Sequence, residues 1–291
     1  MMKIIPVAFD SLGTRSMATF VQTQDCRILI DPGVSLAPSR YGLPPHSLEF
    51  TRMKEHWGEI RKFAEKAEVL IVTHFHYDHH DPSEPEIYEG KILLMKNPRE
   101  KINISQRGRA KFFLEMLGNL PQKIEYCDGR EFKFGETQIK FSQPVPHGTN
   151  AKLGYVTEVC IVDREGKFIH TSDIEGGSLE EQASFLIQEN PDIIFLDGPM
   201  TYMLGYRYSQ ASLQASIDNI LKVMGRTSVK RIILDHHFLR DLNWKEYILD
   251  IFKAAARRGI KIQTAAEFAN LENDLLEARR RELYRDYPFE E

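Results

Sequence analysis

The chain has 291 residues, 42% hydrophobic and 27% charged, which supplies a sizeable core and excludes the disordered and fibrous classes. Its 38 basic and 42 acidic side chains leave a net charge of −4, which argues against a general nucleic-acid binder. No apolar run approaches the ~20 residues needed to span a bilayer, and the first residues lack a signal peptide's apolar stretch, so a soluble cytoplasmic protein is expected. Cys26, Cys127 and Cys160 are scattered, with no Cys-x-x-Cys, and read as small hydrophobes rather than disulfides or thiolate ligands.

Strands are expected at residues 3–8, 17–22 and 27–30, after which Asp31-Pro32-Gly33 turns the chain into a proline-rich loop over 32–47. Met53, Trp57, Ile60 and Ala64 share one face of a helix over 47–66. Residues 69–73 read as a buried strand that runs into a histidine cluster. Next come a strand at 91–95, a helix over 105–117 closed by Gly118, and a β-meander of 124–126, 131–134 and 137–141. Residues 155–162 and 167–170 are expected to pair as a hairpin. The remainder alternates helix and strand: a helix opened by Ser178 and Glu181, a strand at 192–196, a helix over 209–224 and a strand at 230–234. It closes with a helix from Asn243 to Arg258, a strand at 261–263 and a helix from Thr264 to about Tyr284. No linker divides the chain, so one domain over residues 1–291 is expected, two mixed sheets face to face with helices outside.

The segment that carries chemistry is His74-Phe75-His76-Tyr77-Asp78-His79. Chance would produce His-x-His-x-Asp-His about six times in ten thousand chains of this composition. Residues i and i+2 of extended backbone point the same way, so His74 and His76 can share one cation. A turn after His76 lets Asp78 and His79 face a second cation beside it. Imidazole with carboxylate suits Zn²⁺, Fe or Mn rather than Mg²⁺ or Ca²⁺. Further ligands stand just past predicted strands: His147, Asp173, and His236 in Asp235-His236-His237.

In this order the residues resemble the metallo-β-lactamase superfamily over nearly the whole chain: His-x-His-x-Asp-His, a lone His, a lone Asp and a last His. The resemblance implies an α/β (α+β) αββα four-layer sandwich, with His74, His76 and His147 on one metal, Asp78, His79 and His236 on a second, and Asp173 bridging. Leu29-Ile30-Asp31-Pro32-Gly33 is similar to the family's strand-end Asp-x-Gly element. The segment 11–16, the loop 41–45 and Asp235-His236-His237 resemble an uncharacterised subfamily found mostly in archaea and thermophiles, which supplies no substrate. Two features depart from the family. Pro82 stands where many hydrolytic members have Gly, with His80 and Asp81 as extra polar groups at the mouth of the site, and His237 competes with His236 for the last ligand position.

Other titratable residues have plainer readings. Asp31 is a candidate acceptor from a ligand imidazole, His170 a strand-end residue, and Asp197 either a turn initiator or a group near the site. His46 and His56 read as surface or loop histidines, and Arg279-Arg280-Arg281 as a solvated helix face. Tyr202, Tyr206, Arg207 and Arg240 are candidates for anion or ring contacts.

The function implied is a dinuclear metal-dependent hydrolase, its two divalent cations ~3.5–4 Å apart and sharing a hydroxide that attacks an ester-type bond. Zn²⁺ leads, with Fe or Mn as alternatives, Asp78 and Asp173 are the catalytic residues, and the substrate is a small molecule: a phosphodiester, a lactone or a thioester. One alternative is a di-iron oxidoreductase of the flavodiiron type, which has Glu at the place of His76 and an appended flavodoxin-like domain. The other is a non-catalytic metal-binding scaffold, which would be marked by missing ligands.

Overall fold

Strands that are apolar on both faces need a cover on each side, and the structure, a computed structural model describing residues 2–287, supplies it with four layers. The first sheet holds six strands in chain order: β1 (Lys3–Phe9), β2 (Met17–Gln22), β3 (Arg27–Ile30), β4 (Val69–Val72), β5 (Ile92–Met95) and β6 (Lys123–Tyr126). Pairing is antiparallel from β1 to β3 and parallel from β3 to β6. The chain then forms β7 (Glu131–Phe134), β8 (Thr137–Phe141) and a small ribbon of β9 (Val145–Pro146) with β10 (Tyr155–Val156). It continues through β11 (Val159–Asp163), β12 (Gly166–His170), β13 (Ile193–Asp197), β14 (Arg231–Asp235) and β15 (Lys261–Gln263). The second sheet has the order β15-β14-β13-β12-β11-β8-β7, parallel from β12 to β15.

Side-chain alternation divides the core. Ile28, Ile30, Val69 and Ile71 of the first sheet meet Val159, Ile161, Phe168, Phe195 and Ile233 of the second. Leu29, Leu70 and Val72 face the other way, onto α1 (Ser47–Lys66) and α2 (Ile104–Leu117), through Ile60, Ala64, Ala110 and Phe113. Ile194, Leu196, Ile232 and Leu234 likewise face α3 (Glu180–Glu189), α4 (Gln210–Arg226) and α5 (Leu249–Arg258). The result is the αββα sandwich.

Several local expectations change in the folded chain. The meander does not form: β6 pairs with β5 in the first sheet, whereas β7 and β8 lie in the second, so Asp128-Gly129 is the place where the chain changes sheets. The strand expected at 155–162 splits into β10 and β11, and only β11 pairs with β12. The helix after Ser178 starts one residue late, because Gln182 Oε1 accepts from Leu179 N (2.9 Å). From Asn243 the chain first makes a 3₁₀ turn, Trp244–Ile248, and only then α5.

The last helix is replaced by α6 (Ala265–Phe268), an irregular stretch, and α7 (Arg280–Asp286). Tertiary bonds hold the stretch: Asp274 N donates to Ser11 O (2.8 Å), and Arg15 makes two hydrogen bonds to Glu277. Arg280 is therefore buried rather than solvated, its Nε and Nη2 donating to Glu49 at 2.8 and 2.7 Å. His46 and His56 are buried too. His46 Nδ1 accepts from Leu48 N at the start of α1, and His56 Nδ1 lies 2.6 Å from Thr14 Oγ1. Removing one partner of a sealed ion pair strands the other, so Arg280→Met should cost about 3–5 kcal/mol in denaturant unfolding. Arg281→Met, on the exposed side of the same helix, should stay within about 1 kcal/mol.

Candidate metal centre

The two sheets bring strand ends from both halves of the chain to one place. β4, wholly buried between β3 and β5, ends at Val72, so Thr73–His80 leaves from a fixed point. His79 N donates to His76 O (3.0 Å), closing the turn that separates His76 from His79. His147 follows β9, Asp173 follows β12, and His236 follows β14.

Two groups of ligand atoms result. His74, His76, His147 and Asp173 each offer one atom, all within 4.8 Å of one another, and Asp78, His79 and His236 do the same. His76 Nδ1 lies 3.1 Å from His147 Nε2, and Asp78 Oδ2 lies 3.8 Å from His236 Nε2. Asp173 joins the groups. Its Oδ2 is 3.1 Å from His147 Nε2 and 3.5 Å from His74 Nε2, while its Oδ1 is 2.9 Å from His79 Nε2 and 3.5 Å from His236 Nε2.

Whether this set fits metal ions can be tested on its polar atoms. His74 Nε2, His79 Nε2 and Asp173 Oδ1 are buried and have no hydrogen-bond partner; the short approach of the last two is not aligned as one. Buried polar atoms are rarely left so, and here they converge on one space. Behind them, the other nitrogens of His79, His236 and His74 are hydrogen-bonded to oxygens, whereas that of His147 only faces a carboxylate without a hydrogen bond. His79 Nδ1 donates to Asp31 Oδ2 (2.8 Å) and His236 Nδ1 to Asp10 Oδ2 (2.7 Å). His74 Nδ1 lies 3.2 Å from Ser172 Oγ, and His147 Nδ1 lies 3.5 Å from Glu175 Oε1. That is the support a metal-binding imidazole needs to fix its tautomer and ring orientation. The residues fit divalent metal binding.

Electrostatics agree. Burial pushes the Asp173 carboxyl up, but His79, His236 and His74 hold it well below the usual carboxylate range. Burial likewise pushes His236 down, and Asp173 and Asp10 bring it up to about 10. His74, with burial and then His79 acting against its charge, falls to about 3. Buried carboxylates here collect positive charge from whatever can supply it, protons included, so cation binding is expected to displace protons. The backbone is strained at the same place. Asp31, Ser172, Glu175 and His236 have φ of 50, 57, 47 and 61°, in the left-handed region.

The structure places the remaining candidates plainly. Asp31 accepts from His79 and also from Thr73 N and Oγ1. Asp197 holds His237, whose Nδ1 lies 3.1 Å from both carboxylate oxygens. His237 also offers an atom within 4.8 Å of ligand atoms of Asp173 and His236. His170 bonds Met17 O and accepts from Ser172 N. His80 is not at the mouth of the site. It is fully buried, with Nδ1 on His76 O and its ring against Phe113. Residues missed in the sequence are Asp10, Ser172 and Glu175, and only Asp10, polar at the end of an apolar strand, gave a local signal.

No protein-family model matches the chain. A UPF0282 protein of Korarchaeum cryptofilum is 53% identical over 291 residues, covering 100% of this chain and 97% of its own. One from Metallosphaera sedula is 46% identical over 287 residues, 97% of this chain and 93% of its own. Among solved structures, an isothiocyanate hydrolase from Delia radicum gut bacteria superposes with a TM-score of 0.53 at 15% identity, covering 87% of this chain and 94% of that one. A metal-dependent hydrolase of the β-lactamase superfamily gives 0.52 at 13% identity, covering 91% and 95%. A diiron β-hydroxylase from Streptomyces venezuelae gives 0.52 at 10% identity, covering 90% and 52%. Identities this low show a shared fold, and it is the metallo-β-lactamase fold.

Gly33 tests how tightly the loops are fitted. A Cβ there would overlap the backbone of His79 and His80, which lies directly against it. Gly33→Ala should therefore displace His79, and Zn²⁺ bound per chain at equilibrium should fall below that of the parent protein; unchanged zinc content would show that the loop can give way freely.

Proposed function

Because the chain belongs to the UPF0282 family and has the metallo-β-lactamase fold, we propose that it is a dinuclear metal-dependent hydrolase acting on an ester-type bond of a small molecule. The observation that carries this is Asp173, which turns one oxygen to each of the two imidazole groups. In the proposed assignment His74, His76 and His147 would hold one cation and Asp78, His79 and His236 the other, with Asp173 available to both. Five imidazoles and two carboxylates suit Zn²⁺, with Fe or Mn next. Such a pair supplies Lewis acidity and a water acidic enough to be a nucleophile near neutral pH.

The chain's own groups do the rest. Asp78 is 15% exposed in its side chain, against 1% or less for His74, His79, Asp173 and His236, so it is a ligand carboxylate that solvent can reach. From there its Oδ2 orients the attacking water and can hold the proton that water gives up. His237, fixed through Nδ1 by Asp197, is left to present its other nitrogen to bound substrate. Asp31 and Asp10 keep His79 and His236 in the tautomer that points Nε2 inward. The proposed setting is the cytoplasm. No helix among the described residues is long and apolar enough to cross a membrane.

Elemental analysis of protein purified without chelator should find about two transition-metal ions per chain. His76→Ala and Asp173→Asn should abolish hydrolysis while the thermal transition survives, because the core between the sheets is built without them. Reproducible absence of metal, even after reconstitution with Zn²⁺, Mn²⁺ or Fe²⁺, or wild-type turnover in both variants, would reject the assignment.

The adjacent histidines are separated by a second measurement. His236→Ala should lose the second metal, whereas His237→Ala should keep both and change KM or kcat. Full metal in the His236 variant together with loss in the His237 variant would reverse their roles.

A further inference from the structure

Beside the centre a cleft of about 440 Å³ opens, with His147 and Glu175 on its inner wall and Lys152, Tyr206 and Arg207 farther out. That volume lies in the range that encloses a small organic molecule. Glu175 is turned inward, 3% exposed, with its carboxylate 3.5 Å from His147 Nδ1. Lys152 and Arg207 make no ion pair with any of the described residues. The guanidinium carbon of Arg207 sits 5.7 Å from the centroid of the Tyr206 ring, which is 79% exposed.

Two more cations stand in the same relation to the ligand segments. Arg109 lies 4.9 Å over Tyr77, the residue between His76 and Asp78. Lys101 lies 5.3 Å from the ring of Tyr155, which pairs with Pro146 beside His147. In a chain of net charge −4, Lys152 and Arg207 line the cleft beside the centre without a carboxylate partner among the described residues. Cations at the rim of a low-dielectric cleft concentrate ligands of the opposite sign, and the Glu175 carboxylate on the inner wall faces His147.

We propose that the substrate is a small organic anion whose phosphate or carboxylate is held by Lys152 and Arg207 in this cleft, with its labile bond towards His147. The proposal rests on the hydrolase reading of the adjacent centre and adds the class of molecule it takes. Tyr206 offers a flat apolar face to the body of the ligand. A cleft of this size on an acidic protein favours a small anion over a polynucleotide.

The test is calorimetric titration of zinc-loaded protein with phenyl phosphate and, separately, with benzoate. Lys152→Ala and Arg207→Ala should each weaken binding of the preferred anion by about five- to tenfold, with metal content unchanged. Lys152→Arg should restore it. The probe that loses more in the double variant tells whether the site is built for phosphate or for carboxylate. Repeating the comparison in a His76→Ala background separates the two readings. If the parent protein takes up no metal even after reconstitution but the two substitutions still cost anion affinity in the His76→Ala background, the hydrolase reading falls and the anion site stands. If metal content is full and the double variant binds both probes as the parent does, the anion site is wrong and the hydrolase reading stands. A single-stranded decanucleotide that binds more tightly than either probe, through the same two residues, would also overturn the small-anion proposal.

Discussion

One buried carboxylate organises this molecule. Asp173 is 1% exposed, and an ionised carboxylate taken out of water costs several kcal/mol unless positive charge meets it. Four imidazoles approach it, from His74, His79, His147 and His236, and the Nδ1 edge of each is backed by an oxygen. Those oxygens turn each ring so that its inner nitrogen faces Asp173. The left-handed residues Asp31, Ser172, Glu175 and His236 add backbone cost at the same spot. The cost is carried by the core, which is continuous from one sheet to the other and uses none of these groups.

The sandwich explains how such distant residues come together. Asp31 and the 74–79 segment come from the end of the first sheet, Asp173 and His236 from the second, and His147 from the small β9–β10 ribbon. The ties between the halves are polar as well as apolar. Thr73 Oγ1 donates to Asp31 Oδ2 and lies 2.6 Å from Ser172 Oγ, which neighbours His74 Nδ1. Asp10, at the end of β1, reaches both His236 and Arg240 beyond β14. Small displacements of one sheet on the other would therefore misplace ligands, and close packing between the sheets suppresses them.

What the sequence made legible was local. The His-x-His-x-Asp-His motif needs only an extended strand end and a turn, both visible in the residues themselves. β2 and β3, six- and four-residue apolar strands, and α1, with its apolar stripe, were likewise set by short-range pattern. Misreadings arose where a local signal had two tertiary outcomes. Asp128-Gly129 is good turn chemistry whether the chain doubles back or crosses to another sheet, and it crosses. Residues 269–279 have helical composition, but Ser11 and Arg15 offered bonds that competed with the helix. Glu175 and Ser172 carry no local mark at all, since their importance is the distance to an imidazole in another part of the chain.

The pair His236-His237 shows where local reasoning stops. Strand alternation favours His236 on the condition that the backbone stays extended, and that condition fails: β14 ends at Asp235, and His236 has φ of 61°. His236 nevertheless turns Nε2 towards Asp173 and Asp78, because two carboxylates from elsewhere divide the histidines between them. Asp10, 226 residues away in sequence, takes His236 Nδ1, and Asp197, 40 residues away, takes His237 Nδ1. Arg240 donates from Nε to Asp10 (2.8 Å), which keeps that carboxylate ionised and committed to His236. Two identical side chains in adjacent positions thus receive different orientations from the partner that fixes the far edge of each ring. Which of the two adjacent histidines faces Asp173 and Asp78 is set by the carboxylate behind its ring.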